Sequence, residues 1–163
     1  MKLMMKYKVI ESQEILIIGL KAEANFHNIH VVTPKLARQF MPRIEEIKFR
    51  KDTFTLSLQS YNHFDYNTFN PDEAFEKWIG VEVNNLDTVP PDMETLIIAS
   101  GKYLVIDFKG SISEFIKFWQ HIHATWLPNS EFELDNRPHF ERLPPSYNPM
   151  QEINEEEIWI PIK

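Results

Sequence analysis

A short motif that occurs twice is the feature that most constrains how this chain can fold. Trp78–Val81 parallels Trp159–Ile162, and a glutamate stands two places before each tryptophan (Glu76 and Glu157). Both segments are rich in the aromatic and β-branched residues that favour strands. A repeated segment of this kind indicates two related halves, each built from the same order of elements and each ending in a strand.

The first half has the pattern strand, helix, strand, strand. The Ile-rich stretch Tyr7–Ala24 predicts one long strand that is bulged at Gly19. Thr33 and Pro34 predict a helix start, with Thr33 as the cap and Pro34 at the first helical position. An apolar stripe follows at spacings of four, four and three, and Pro42 within it predicts a kink or a break. The stripe consists of Leu36, Phe40, Ile44 and Ile47, and the later strands are Thr53–Ser60 and Phe75–Val83.

The second half repeats this order after Pro90 and Pro91, which divide the chain into halves of about 6–88 and 92–163. Ser100-Gly101 predicts a hairpin, and Ser111 with Glu114 predicts a capping box at the start of a helix that Pro128 ends. The remaining predicted strands are Glu94–Ala99, Lys102–Phe108, Arg137–Leu143 and Ile158–Ile162. The sequence therefore predicts one α+β domain, a tandem strand–helix–strand–strand repeat with two antiparallel sheets around a central cleft. Such clefts are preferred ligand sites.

Composition excludes several classes of function. The chain has 163 residues and no cysteine, which excludes disulfides, thiolate metal sites and cysteine nucleophiles. No apolar run is long enough to span a membrane, and Met1–Lys8 is too short and charged for a signal peptide, so we expect a cytoplasmic protein. The net charge of −7 disfavours nucleic-acid binding. The same charge favours cationic ligands, or serves solubility alone.

Other residue patterns give no sign of a metal, a cofactor or a phosphate site. His121 and His123 do not share a helix face, and the remaining histidines lack a third ligand at a suitable spacing. No glycine-rich phosphate loop or nucleophile elbow is present. The acidic run Glu155–Glu157 is interpreted as a solvated strand entry.

Four segments resemble the effector-binding domain of the GyrI-like family, which AraC-type regulators share. They are Phe75–Val83, Gly101–Val105 running on to Lys109-Gly110, Trp126–Ser130 with Arg137–Glu141, and Glu157–Lys163. The resemblance covers roughly residues 75–163, and the N-terminal third agrees only in its order of elements. It implies a tandem fold whose central pocket binds lipophilic, often cationic, organic molecules, with Glu141 at the position of the family's acidic determinant.

The resemblance also implies several alternatives for function. Some relatives are fused to helix-turn-helix domains and regulate transcription, but here the first strand begins by Tyr7, so we expect no DNA-binding domain before it. A minority of stand-alone relatives resemble hydrolases of strained electrophilic small molecules, including cyclopropanoid ones. Gyrase-inhibitor relatives suggest a protein-interaction module. A haem-binding relative would need an axial histidine, and none is convincing.

The chain departs from the family pattern next to Glu141. Arg142 and Leu143 follow, where the family has an aromatic residue, and Glu131 replaces the glycine after Ser130. We expect Arg142 to pair with Glu141 and to weaken its attraction for a cation.

The candidate site therefore combines one carboxylate with aromatic walls. Glu141 is the expected charge determinant, because burial in an aromatic pocket would raise its pKa and strengthen its attraction for a matching cation. No catalytic residue is assigned to a binding module. A hydrolase would use Glu141 with Tyr103 as the acid/base pair, by analogy alone. The oligomeric state stays open, and the expected ligand-binding aromatic residues are Trp78, Tyr103, Trp119, Phe140 and Trp159.

Overall fold

The computed structural model describes residues 5–163, so part of the Met1–Lys8 segment, expected not to be a signal peptide, lies outside the described residues. Within them, no helix is long and apolar enough to cross a membrane. The strands are β1 Tyr7–Ser12, β2 Ile15–Ala24, β3 Thr55–Ser60, β4 Phe75–Val83, β5 Glu94–Ile98, β6 Gly101–Gly110, β7 His139–Leu143 and β8 Asn154–Ile162. The helices are α1 Ile29–Phe40, which continues as a 3-10 helix Met41–Glu46, and α2 Ile112–His121, which continues as a π-helical turn Ile122–Trp126.

All the strands belong to one antiparallel sheet in the order β1-β6-β8-β7-β3-β4-β2-β5. The α+β class is confirmed. The two predicted sheets are joined edge to edge, because β3 pairs with β7. In one half β4 pairs with both β2 and β3, and in the other β8 pairs with both β6 and β7. The β3–β7 ladder therefore runs along the centre of the molecule, between the two helices.

A second connection between the halves is a long ladder that bends in its middle. Ser12 of β1 pairs with Gly101 of β6. Ile15 of β2 pairs with Ile98 of β5, so the register continues unchanged across the bend. The predicted hairpin at Ser100-Gly101 is wrong, because β5 and β6 do not pair with each other. At Ser100-Gly101 the chain bends next to the bend between β1 and β2, and the pairing continues across both bends.

Gly19 is needed for a close approach of two backbones, and the predicted bulge is absent. Gly19 pairs with Gly80 in the regular register of β2 and β4. A Cβ atom on Gly19 would lie 2.7 Å from the Cα of Gly80, which is closer than such atoms approach in proteins. A side chain at this position would therefore push the two strands apart.

The helices begin where local hydrogen bonds organise the chain. α1 begins at Ile29 after Asn28, so the predicted start at Thr33 is wrong. The reason is the preceding turn, in which the Asn25 side-chain oxygen accepts hydrogen bonds from the backbone N–H groups of His27 and Asn28. The predicted break before Pro42 is confirmed, since α1 ends at Phe40. The capping box at α2 is confirmed as well.

Both helices cover the same face of the sheet. α1 packs on β2 and β4 through an apolar cluster that contains Leu36, Phe40 and Ile79, as the predicted stripe requires. α2 and its π-helical turn pack on β6 and β8 through a cluster that contains Ile122 and Ile158. A third apolar cluster lies on the opposite face of the sheet. Its buried members are Ile15, Ile17, Leu56, Leu58, Trp78, Ile98, Tyr103, Val105 and Phe140.

Candidate functional site

A row of directly paired residues locates a cleft between the two helices. Ser57 of β3 pairs with Ile79 on one side and with Glu141 on the other, and Glu141 pairs with Ile158. Paired residues project to the same face of a sheet. Because Ile79 lies under α1 and Ile158 under α2, Ser57 and Glu141 lie between the helices.

The neighbouring row is polar too. Gln59 of β3 pairs with Lys77 of β4 and with His139 of β7. Glu156 lies two residues before Ile158 on β8 and so faces the same side. We call these side chains the cleft floor: Ser57, Gln59, Lys77, His139, Glu141 and Glu156.

Arg137 fixes the start of the strand that carries Glu141. Its guanidinium donates to the carbonyl oxygens of Lys102 and Ile162, and it pairs with Asp135 at 2.7 Å. The same group lies 4.6 Å from the centre of the Tyr103 ring. These contacts hold the segment before β7 against the ends of β6 and β8, and so position Glu141 in the centre of the cleft.

Lys77 places a buried ammonium group in the cleft floor. It is 1% exposed, and its Nζ donates to the Ser57 Oγ at 2.6 Å. In the amide orientation that satisfies its neighbours, Gln59 accepts from the same Nζ at 2.6 Å. Within residues 5–163, no carboxylate pairs directly with Lys77. Burial lowers the pKa of Lys77 to about 8, against the opposing effect of Glu141 and Glu156.

Two carboxyl groups share the cleft floor with this lysine. Burial raises the pKa of Glu141, and Lys77 opposes that shift. Burial and then repulsion from Glu141 raise the pKa of Glu156 to about 8. The prediction of a solvated strand entry at Glu155–Glu157 is therefore wrong for Glu156, although Glu155 is exposed.

An aromatic segment covers this floor. The connection between β3 and β4, residues 61–74, carries Tyr61, Phe64, Tyr66 and Phe69, which we call the aromatic cover. Phe64 is buried, and its ring centre lies 5.9 Å from that of Trp119 on α2 and 5.6 Å from that of His139. A small pocket of about 20 Å³, partly open to solvent, lies against the cover. It is lined by Phe26, Tyr61, Asn62, His63, Phe64, Phe69, Asn70, Glu73, Ala74 and Phe75.

Two buried histidines lie between the cover and α2. The rings of His123 and His139 are 5.9 Å apart, and Trp119 lies 4.5 Å from His123. Burial lowers the pKa of His123 to about 4 and holds that of His139 well below its usual range. The buried Nε2 of His123 has no hydrogen-bond partner among the described residues.

Sequence reasoning missed the cover, Lys77, Glu156 and both histidines. For the cover a signal was present, because four aromatic rings in a short polar loop exceed what a solvent-exposed connection needs. For Lys77 and His139 the signal was a polar residue at an inward position of a strand. The positions of Lys77 and His139 become informative only when the strand order is known.

The structure places the predicted aromatic residues in two different regions. Trp119 lies in the cleft, against the cover. The other four lie on the opposite face of the sheet, where Phe140 and Trp159 stack with ring centres 5.1 Å apart. Neighbouring residues of a strand face opposite sides, so Phe140 and Glu141 cannot line one pocket. The four residues that the structure separates from Glu141 in this way are Trp78, Tyr103, Phe140 and Trp159.

Tyr103 is therefore unavailable as an acid/base partner of Glu141. Its hydroxyl donates to the carbonyl oxygen of Pro138 at 2.7 Å, and its ring is fully buried in the core. Burial raises the pKa of the phenol above its usual range. The Tyr103 phenol and the Glu141 carboxyl lie on opposite sides of the same sheet, so no small substrate can contact both.

Arg142 also faces away from Glu141, and the predicted pair between them is wrong. The Arg142 guanidinium pairs with Asp52 at 2.9 Å and with Glu157 at 2.7 Å. It lies 4.0 Å from the centre of the Phe54 ring. The charge that faces Glu141 is the ammonium of Lys77.

Comparison with known families decides the relationship. The model of the GyrI-like small molecule binding domain matches residues 5–163. The chain belongs to the GyrI-like family. The match extends the resemblance over the N-terminal third, which its sequence motifs did not cover. No curated protein matches the chain significantly.

Solved structures share the GyrI-like fold at low sequence identity. The protein SAV2435, solved with bound tetraphenylphosphonium, is 17% identical, with a TM-score of 0.73 over 98% of this chain and 94% of that one. The EcmrR C-terminal domain is 12% identical, with a TM-score of 0.66 over 99% of each chain. A hydrolase from Listeria innocua is 10% identical, with a TM-score of 0.54 over 97% of this chain and 92% of that one.

Within residues 5–163, no three His, Asp or Glu side chains lie close enough to hold a metal ion.

Proposed function

We propose that this GyrI-like domain binds a lipophilic organic cation in the cleft between α1 and α2, with Glu141 as the carboxylate that attracts the positive charge. The observation that carries the proposal is a carboxyl group on a buried polar floor beneath aromatic rings. Trp119 and the aromatic cover supply the apolar surface. The binding of a phosphonium cation by the relative SAV2435 supports the same class of ligand.

Electrostatics favour a cation over a neutral ligand. A buried carboxylate is costly unless a positive charge or several donors compensate for it. Lys77 supplies one positive charge, but the floor carries two carboxyl groups. A cation over an aromatic face gains a further 0.5–2 kcal/mol, roughly, per contact.

Binding requires the aromatic cover to move. The pocket beside the cover has room for only about 20 Å³, far less than the roughly 300–1,000 Å³ of typical ligand sites. Phe64 contacts both Trp119 and His139. A ligand that reaches Glu141 must therefore replace these ring contacts with its own.

Titration of tryptophan fluorescence with tetraphenylphosphonium tests the proposal. Trp119 lies in the cleft, so we expect saturable quenching. Glu141→Gln should weaken binding at least about tenfold, because it removes a charge-assisted interaction. Glu155→Gln is the matched control, since this exposed glutamate lies on the adjacent strand and its loss changes the net charge equally. The proposal fails if a panel of lipophilic cations gives no saturable signal, or if both variants bind equally well.

The hydrolase alternative has no geometric support, because its acid/base pair of Glu141 and Tyr103 is divided by the sheet. For the protein-interaction alternative, no feature of the described residues specifies a partner. We therefore propose a small molecule as the partner. The net charge of −7 argues against nucleic acid.

A further inference from the structure

The charged part of the cleft floor is a group of three side chains from three strands, in which the lysine is buried and the two glutamates are half-buried. Lys77 of β4 and Glu141 of β7 lie on opposite sides of β3, and the Lys77 Nζ reaches towards Glu141 to contact Ser57. Glu156 of β8 is the diagonal neighbour of Glu141, because Glu141 pairs with Ile158. Two carboxyl groups thus face one ammonium group.

We propose that the Lys77–Glu141–Glu156 group holds a proton between its two carboxyls when the cleft is empty, and that a monovalent organic cation binds by displacing this proton. Glu156 would thereby be a second ligand-recognition residue, and the site would select single positive charges. This inference rests on the proposed function, because it concerns the same cleft and the same class of ligand.

Charge balance supports the exchange. With both carboxyls ionised and Lys77 protonated, the group carries one uncompensated negative charge in a buried setting, which is unfavourable without a counter-charge. A proton removes that charge in the empty cleft, and a monovalent cation removes it in the complex. The raised pKa of Glu156, about 8, agrees with a proton held there at neutral pH.

The other titratable groups that face the floor do not take part in the exchange near neutral pH. Burial raises the pKa of the Tyr61 phenol well above its usual range and that of Tyr147 to about 12, so both stay protonated. Burial lowers the pKa values of His123 and His139, so both stay neutral. The Nε2 of His123, which has no hydrogen-bond partner among the described residues, lies in the same cleft and could bond to a ligand.

Isothermal titration calorimetry with tetraphenylphosphonium tests this inference. Binding enthalpies measured at pH 6.5 in buffers of different ionisation enthalpy give the number of protons released. We expect release approaching one proton per cation, and an affinity that rises by up to about tenfold per pH unit between pH 6 and 8. Binding without proton release would overturn the inference and leave the proposed function standing. A lack of binding would instead contradict the proposed function.

Two variants identify the source of the proton. Glu156→Gln should abolish the release at pH 6.5 and preserve the shape of the side chain. Lys77→Met should still release a proton, because the two carboxyls remain. Release that persists in Glu156→Gln and disappears in Lys77→Met would assign the proton to the lysine and overturn the inference. Glu155→Gln is again the matched control, and its proton release should equal that of the unchanged protein.

Discussion

Replacing His123 with phenylalanine should make the protein more resistant to acid. The imidazole is 2% exposed and packs against Trp119, and its Nε2 has no hydrogen-bond partner in the part of the chain that the structure describes. A phenyl ring keeps the shape and the ring contacts without the polar atom. At pH 7 we therefore expect His123→Phe to be as stable as the unchanged protein, or slightly more stable.

The pH dependence follows from the pKa of His123, which falls from 6.5 to about 4 on folding. The unfolded chain takes up a proton below pH 6.5, whereas the folded protein resists it until about pH 4. Above pH 6.5 the imidazole is neutral in both states, so its titration does not affect stability there. As the pH falls from 6.5 towards 4, the unfolded chain takes up the proton and the fold is progressively destabilised. A shift of this size is worth about 3 kcal/mol.

Urea unfolding at several pH values between 4 and 7 measures the effect. The raised pKa of Glu156 makes the fold more stable as the pH falls, which is the opposite of the effect of His123. The pH dependence of the unchanged protein's stability therefore does not isolate the effect of His123. The difference between the unchanged protein and His123→Phe does isolate it, and we expect that difference to grow by about 3 kcal/mol from pH 7 to pH 4. His30→Gln, which removes an exposed imidazole, is the control. Parallel curves for His123→Phe and the unchanged protein would refute the reasoning.

Three further substitutions test other parts of the structure by urea unfolding. Gly19→Ala should destabilise the fold by about 1–3 kcal/mol or more, because the new Cβ meets backbone atoms of β4 that cannot move aside; unchanged stability would contradict that close approach. Ser111→Ala should cost about 1 kcal/mol by removing the cap of α2, and Ser113→Ala, within the same helix, should not. Arg142→Met should cost about 1–3 kcal/mol by leaving Asp52 and Glu157 unpaired. It should leave the affinity for tetraphenylphosphonium unchanged, and weaker binding would place Arg142 in the cleft.

The sequence predicts the elements of this fold well, because most of them depend on local signals. The apolar spacing from Leu36 to Ile47, the box of Ser111 and Glu114, and the break before Pro42 were all confirmed. Two of the local errors have local causes. Asn25 organises a turn that starts α1 early, and Ser100-Gly101 lies in a bend between strands that pair with other partners.

The candidate site was predicted less completely, because it depends on strand order. The family motif pointed to Glu141, and the structure places that residue on the floor of a cleft. Alternation along β7 was visible in the sequence and already implies that Phe140 and Arg142 face away from Glu141. Which residues share the face with Glu141 depends on the β3–β7 pairing, and no local pattern of residues specifies that pairing.

The bent ladder shared by the two halves has a consequence for how the chain is synthesised. Of the strands in residues 5–163, β1 is made first, yet within these residues it pairs only with β6, which leaves the ribosome much later. Until then the edge of β1 that pairs with β6 has no partner. Such unpaired edges promote association between nascent chains. A gene cut at the Pro90-Pro91 connection would give a first fragment that keeps this edge permanently. The two halves resemble repeats, but each contributes a strand to the other's part of the sheet, since β1 pairs with β6 and β5 pairs with β2.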